Sequence, residues 1–287
     1  MTRSKLLVSF TDSFKSVSDS PAADAAILIC RCLDITRAEL FLYPDKEVPE
    51  EKLDELERIR TERANGRPVA YLTGERGFYE CIFKVTDDVL IPRADTEILV
   101  ESAVSDLLKL LPGKKEVRVL DLCCGSGCIG ISVALVLARS FEKVFLTLSD
   151  LSEKALKVCR ENVSDLIHDS NIFVRCVQGN LFDNIKGSFD AVLSNPPYIR
   201  TDVIASLEKQ VQYEPHMALD GGKDGLDFVR NISLQARSHL VPGGLLEMEI
   251  GFDQAEDEKA ILRDAGFTEI EVLKDLGGND RVVKGRN

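Results

Sequence analysis

The sequence predicts an α/β protein: a doubly wound, mostly parallel seven-stranded sheet, preceded by a small all-helical domain and a β-hairpin linker. Three observations predict it. From residue 117 onward, strand-like and helix-like stretches alternate, as in a parallel sheet covered by helices on both faces. The first of these strands runs into a glycine-rich turn and then directly into a helix. Residues 1–66, by contrast, hold helix formers, caps and stops.

In the first 66 residues, Pro21 is a favoured first helical residue and opens a helix-forming run over 22–29. Thr36 and Glu39 form a capping box for a short helix through Leu42. The segment 50–64 places Leu53, Leu56 and Ile59 on one face among charges, and Asn65-Gly66 supplies the stop. Residues 67–92 change character: Val69, Tyr71, Phe78, Tyr79, Ile82, Phe83 and Val85 are strand formers interrupted by Gly74 and Gly77, which reads as a hairpin linker. A helix then starts at Asp95-Thr96-Glu97, where acids suit the helix dipole, and runs to Pro112-Gly113.

Over 93–287 the expected strands are 117–122, 143–149, 172–177, 189–194, 245–250, 269–273 and 281–283. Helices are expected over 129–139, 153–163, 202–211, 226–239 and 253–265. In such sheets ligands sit beyond the carboxyl ends of the strands, so the chemistry is sought there.

Composition bounds the function. With 287 residues, two domains are a natural division. There are 36 Lys and Arg against 48 Asp and Glu, a net charge of −12. Residues 1–80 alone carry 12 basic and 15 acidic side chains. That balance disfavours broad binding to nucleic acid or anionic membrane and favours a docking partner with a basic surface. The eight cysteines show no Cys-x-x-Cys pair, and His168, His216 and His239 are scattered, so no metal site is expected. The cysteines read as reduced, small hydrophobes in a reducing compartment. No signal peptide is legible, and no apolar run approaches the roughly 20 residues of a membrane helix. The expectation is a cytoplasmic protein, monomeric, with no membrane or direct nucleic-acid partner.

The first strand ends in Asp121-Leu122-Cys123-Cys124-Gly125-Ser126-Gly127, followed by Gly130. Glycines let a ligand approach main-chain N–H groups. Asp150, followed by Leu151, closes the next strand, about 20 residues on, where an acid accepts hydrogen bonds from ribose hydroxyls. Together these point to an adenosine-containing cofactor. The competing reading is glycines that serve only close strand–helix packing. Gly125-x-Gly127-x-x-Gly130 also satisfies the dinucleotide fingerprint, so an NAD-binding oxidoreductase stands as a rival at this point.

The strand 189–194 ends in Asn195-Pro196-Pro197-Tyr198. The prolines fix the backbone, and the carbonyls of Asn195 and Pro196 can accept both hydrogens of a planar NH2 group. Tyr198 offers a flat ring to stack on it. Such a loop catalyses by positioning a nitrogen for attack on a methyl carbon, not through a strong base. His216, near this loop, reads as packing, and Glu214-Pro215 as a pocket wall or, in equal measure, a polar loop contact or helix stop.

The tetrapeptide, the glycine loop and Asp150 resemble S-adenosylmethionine-dependent methyltransferases of amide or exocyclic amino nitrogen. Three further blocks narrow the resemblance to the PrmC/HemK family: Arg67-Pro68-x-x-Tyr71-Leu72-Thr73-Gly74, Leu90-Ile91-Pro92-Arg93-x-Asp95-Thr96-Glu97, and the run from Glu214-Pro215 to Gly225-Leu226. The resemblance spans nearly the whole chain. It implies a class I methyltransferase sheet over 93–287, a substrate-docking helical domain over 1–66, and a linker over 67–92. It implies methyl transfer from S-adenosylmethionine, leaving S-adenosylhomocysteine, to the glutamine amide in the Gly-Gly-Gln loop of peptide chain release factors. Residues Asp121 and Cys123 to Gly127 would lie by the methionine part of the cofactor, and Asp150-Leu151 by the ribose. Asn180-Leu181 would flank the adenine, and Asn195 to Tyr198 would hold the substrate, with Asn195 also facing the cofactor. Cys123 stands where the family usually has a glycine, Asn180 where an acid is common, and Ala94 in place of a usual proline. A DNA adenine-amino methyltransferase shares Asn-Pro-Pro-Tyr and is the nearest alternative, but would need a basic recognition surface.

Overall fold

The computed structural model describes all 287 residues. They divide into two units, Met1–Glu75 with Leu207–Tyr213, and Arg76–Ser206 with Glu214–Asn287.

The first unit is helical: α1 (Arg3–Phe14), α2 (Pro21–Leu33), α3 (Arg37–Leu42), α4 (Leu53–Ala64) and α5 (Val69–Thr73). Pro21 stands at the first turn of α2, and the Thr36–Glu39 capping box is formed in both directions. Phe10, Phe14, Leu28, Ile29 and Leu56 make its core. Arg63 is buried there without being orphaned: its guanidinium donates to Asp24 (2.9 Å) and to the Val17 carbonyl (2.9 Å). The expectation that Val69 and Tyr71 belong to a hairpin is wrong, because both lie in α5. Pro68 precedes this helix, Gly74 ends it in the left-handed region, and the Thr73 hydroxyl donates back to the Val69 carbonyl (3.1 Å). Local capping outweighs the strand propensity of two residues.

The hairpin itself is shorter than expected, β1 (Glu75–Phe78) with β2 (Cys81–Lys84). Helix α6 (Glu97–Leu110) follows a single 3-10 turn. The sheet is then built by β3 (Glu116–Leu122), β4 (Lys143–Asp150), β5 (Ile172–Gln178), β6 (Phe189–Ser194), β7 (Leu240–Glu249), β8 (Thr268–Lys274) and β9 (Asp280–Arg286). Its order is β5-β4-β3-β6-β7-β9-β8, and only the pairings of β9 are antiparallel. Helices α7 (Cys128–Leu137), α8 (Glu153–Leu166), α9 (Asp227–His239) and α10 (Ala255–Asp264) connect the strands. Alternate residues of β3 feed different cores. Val117 and Val119 join the cluster containing α6 and α7 residues, while Leu120 and Leu122 join that of α9 and α10.

One expected helix is absent. Residues 202–211 form 3-10 turns at Ile204–Ser206 and Val211–Tyr213, with no α-helix between them. Leu207–Tyr213 instead belongs to the helical unit, where Gln210 donates to the Val17 carbonyl (3.1 Å). All eight cysteines are free, and no helix is long and apolar enough to cross a membrane.

Candidate active site

Strand order reverses direction at β3 and β6: the chain winds outward through β4 and β5, then returns to pair β6 beside β3. The carboxyl ends of β3, β4 and β6 are in register, Leu122 lying opposite both Ser149 and Ser194. A cavity of about 370 Å³ opens beyond these ends, the expected place for a ligand in a doubly wound sheet.

The cofactor residues expected from sequence converge on it. Cys123, Cys124, Gly125 and Ser126 line it after β3, Asp150 and Leu151 at the end of β4, and Asn180 and Leu181 after β5. Asn195 and Pro197 line it after β6. Four expected residues are not in its wall: Asp121, Gly127, Pro196 and Tyr198.

The turn after β3 depends on unusual backbone. Gly125 has φ +53° and nothing within 4 Å of where a Cβ would sit, so its main chain is laid open. Cys123 adopts φ +56°, a region glycine enters freely and cysteine does not. Gly130 plays a different part. A Cβ there would come within 2.7 Å of Leu148 and 2.9 Å of Asp121, so the last glycine of the fingerprint serves strand–helix packing, the reading that competed with ligand approach. Asp121 explains the closeness, since its Oδ2 accepts the Gly130 N–H at 2.8 Å. Its Oδ1 is buried without a partner, and burial pushes its pKa up to about 7 against the pull of that N–H.

Asp150 ties the turn to the sheet. Oδ2 accepts the Gly125 N–H and Oδ1 the Ser152 N–H, each at 2.9 Å. Burial raises its pKa, opposed by these backbone donors. The carboxylate keeps acceptor capacity for a further donor.

The loop after β6 is held in place by side chains. Tyr198 donates its hydroxyl to Glu249 Oε1 (3.1 Å), and Thr96 donates to Glu249 Oε2 (2.5 Å). Asn195 Nδ2 donates to Thr96 Oγ1 (3.4 Å). Glu249 is the last residue of β7 and is buried, which raises its pKa against the Thr96 hydroxyl and Arg281. Burial, and then the Glu249 charge, hold the Tyr198 phenol well above its ordinary range. Glu214 is buried as well, accepting the Ile91 N–H (3.0 Å) and pairing with Arg93. Glu214 thus makes the polar loop contact, holding Ile91 and Arg93, while its neighbour Pro215 stands in the cavity wall. His216 is a correction: it lies exposed at the cavity wall and is not packed.

Thr96 and Glu249 escaped the sequence reading. The signal for Glu249 was present, because Glu247 and Glu249 interrupt an otherwise apolar strand, and a carboxylate in a buried strand needs a reason.

The lining also bears on the ligand. Its charged groups are Asp88, Asp150, Asp220 and Arg93, beside His216, and the Arg93 guanidinium is paired with Glu214. No lysine lines the cavity. A sulfonium cofactor without phosphate suits this wall, whereas a pyrophosphate meets mostly carboxylates.

Comparison with known proteins agrees. The PrmC N-terminal domain family matches residues 5–74, and the methyltransferase small domain family matches residues 99–212. A release factor glutamine methyltransferase from Caulobacter vibrioides is 38% identical over 269 residues, covering 93% of this chain and 90% of the relative. Its counterpart from Vibrio cholerae is 39% identical over 273 residues, covering 95% and 92%. Among solved structures, a Pyrococcus furiosus methyltransferase superposes with TM-score 0.50 at 18% identity, covering 81% of this chain and 98% of that one. The hMettl16 catalytic domain in complex with the MAT2A 3′UTR hairpin 1 gives TM-score 0.55 at 15% identity, covering 98% and 89%. These two likenesses bear on the fold alone. Fold, site and relatives converge on methyl transfer: the chain belongs to the release factor glutamine methyltransferase family.

Proposed function

We propose that this enzyme methylates the side-chain amide nitrogen of the glutamine in the Gly-Gly-Gln loop of peptide chain release factors, in the cytoplasm. The observation that carries the reading is Asn195-Pro196-Pro197-Tyr198 at the end of β6, beside the cavity formed after β3, β4 and β5.

S-adenosylmethionine, when bound, supplies an electrophilic methyl group on a sulfonium. Cys123 to Gly127, with Asp121 beneath them, would hold its methionine part. Asp150 would accept from the ribose hydroxyls, with Leu151 beside it, and Asn180 and Leu181 would flank the adenine. The open backbone at Gly125 and the remaining acceptor capacity of Asp150 support that assignment. The Asn195 side-chain carbonyl and the Pro196 carbonyl accept the two amide N–H groups of the substrate and orient its nitrogen. Pro197 stiffens the loop, and Tyr198 packs on the planar amide. An amide nitrogen is a poor nucleophile, so orientation carries the rate. The surplus proton leaves to water once nitrogen has gained its methyl group.

Residues 1–66 act as the docking domain for the release factor, and residues 67–92 as the linker to the catalytic sheet. Exposure of consecutive Phe41, Leu42 and Tyr43 supports the docking role. The net charge of −12 favours a basic partner surface and argues against DNA as substrate. The test is incubation with labelled S-adenosylmethionine and either release factor or duplex DNA, with Asn195→Ala as control. Label on the release-factor glutamine supports the reading. Label on DNA, or none on the release factor, overturns it.

A further inference from the structure

We infer that Glu249, acting through Thr96, is a positioning residue that sets which end of the Asn195 side-chain amide faces the reacting centre. The inference rests on the proposed role of Asn195 as acceptor for the substrate amide.

The count of hydroxyl protons fixes the orientation. A threonine hydroxyl carries one hydrogen and two lone pairs. The Thr96 hydrogen is committed to Glu249 Oε2 at 2.5 Å. Thr96 Oγ1 therefore offers Asn195 only lone pairs, and the NH2 end of the Asn195 amide turns toward it, at 3.4 Å. The carbonyl end is left to accept an N–H. The other carboxylate oxygen accepts the Tyr198 hydroxyl at 3.1 Å, so one buried group anchors both ends of the reacting loop. Thr96 and Glu249 are 2% and 1% exposed, so water does not compete for these bonds.

Without the carboxylate, the Thr96 hydrogen is free to turn on Asn195 and stabilise the reversed amide. Asn195 would then present donors to a substrate amide that also presents donors. Glutamine at position 249 has nearly the shape of glutamate but a single acceptor oxygen. Thr96 and Tyr198 meet different carboxylate oxygens, so the glutamine amide places its NH2 against one of these hydroxyls, and that hydroxyl must reverse.

The experiment compares Glu249→Gln, Thr96→Val, Thr96→Ser and the double variant Thr96→Val/Glu249→Gln in release-factor methylation. Glu249→Gln and Thr96→Val are expected to lower kcat about 10²-fold, the size of a small misplacement at a positioned nucleophile. S-adenosylmethionine affinity, read by calorimetry, is expected to stay within about threefold, and Thr96→Ser to restore kcat. The double variant is expected to be no slower than the slower single, because both break one relay. Additive losses, or unchanged kcat in Thr96→Val, would overturn the inference. A second readout needs no turnover: the Asn195 side-chain NH2 resonance, identified by its loss in Asn195→Ala, should show a nuclear Overhauser contact to Thr96 that vanishes in Glu249→Gln. Its absence from the wild-type spectrum refutes the positioning role while leaving the release-factor reading intact. Failure of the wild type to methylate release factor, with that contact present, refutes the substrate instead.

Discussion

The two loops that meet at the cavity are built on opposite principles. The turn after β3 is shaped by backbone: three of its residues, Cys123, Gly125 and Gly127, have positive φ, and its one charged anchor, Asp150, grips a main-chain N–H. The loop after β6 has no positive φ. Two prolines stiffen it, and side-chain bonds to Thr96 and Glu249 hold its ends. The first loop can wrap a ligand with main-chain donors. The second, in the proposed reaction, aims two acceptors at a small target, and the direction of one amide then decides whether substrate is met by an acceptor or a donor.

Substitutions can break or sharpen this contrast. Largest is Asn195→Ala, expected to cost about 10³-fold in kcat, since removing one preorganised polar group at a reacting centre has that order of effect; methylation kinetics at saturating cofactor measure it. If the contrast is real, Asp150→Ala behaves differently. It should weaken S-adenosylmethionine binding about 10- to 100-fold, as for hydrogen bonds to a charged acceptor, while kcat at saturation falls far less. Calorimetry would also show wild-type affinity falling as the pH drops through the raised pKa of Asp150, because the protonated acid loses acceptor capacity.

Glu247 provides the internal control for Glu249. It lies two residues earlier on the same face of β7 and is equally buried, yet neither of its oxygens has a hydrogen-bond partner. Burial holds its pKa up at about 8, against roughly 4.3 for an unfolded glutamate. The folded chain therefore keeps a proton that the unfolded chain has released, and its contribution to stability falls as the pH rises from about 4 to 8. Glu247→Gln removes that dependence. Its advantage over wild type should grow through the same window by about 1.4 kcal/mol for each pH unit, with methyl transfer unchanged; thermal unfolding at pH 5 and pH 8 tests it. Smallest is Cys123→Gly, which relieves the positive φ but loosens the unfolded chain. The net gain is about 0.5 kcal/mol, seen as a rise in Tm of about 1–2 °C.

Much of this was legible in the sequence because the carrying signals are local. Strand ends followed by glycine or proline mark β3 and β6, and the capping box marks α3. What escaped depends on distant partners. Residues 202–211 read as a helix, but Leu207–Tyr213 is drawn into the helical unit and the helix does not form. Thr96 and Glu249 are 153 residues apart, and nothing local tells a threonine at a helix start that its hydrogen is committed. The same holds for Glu214, whose partners lie at Ile91 and Arg93.

The return of Leu207–Tyr213 to the helical unit also bears on how the chain matures during synthesis. The first 75 residues leave the ribosome long before the rest, yet the unit they begin is finished only when residue 213 has emerged. Gln210, which caps the Val17 carbonyl, arrives nearly two hundred residues later. For most of translation the helical unit lacks one of its own pieces, and its final locking coincides with the appearance of the segment just downstream of the reacting loop. A fragment cut at residue 75 is thus an incomplete domain, however clean that boundary looks along the sequence.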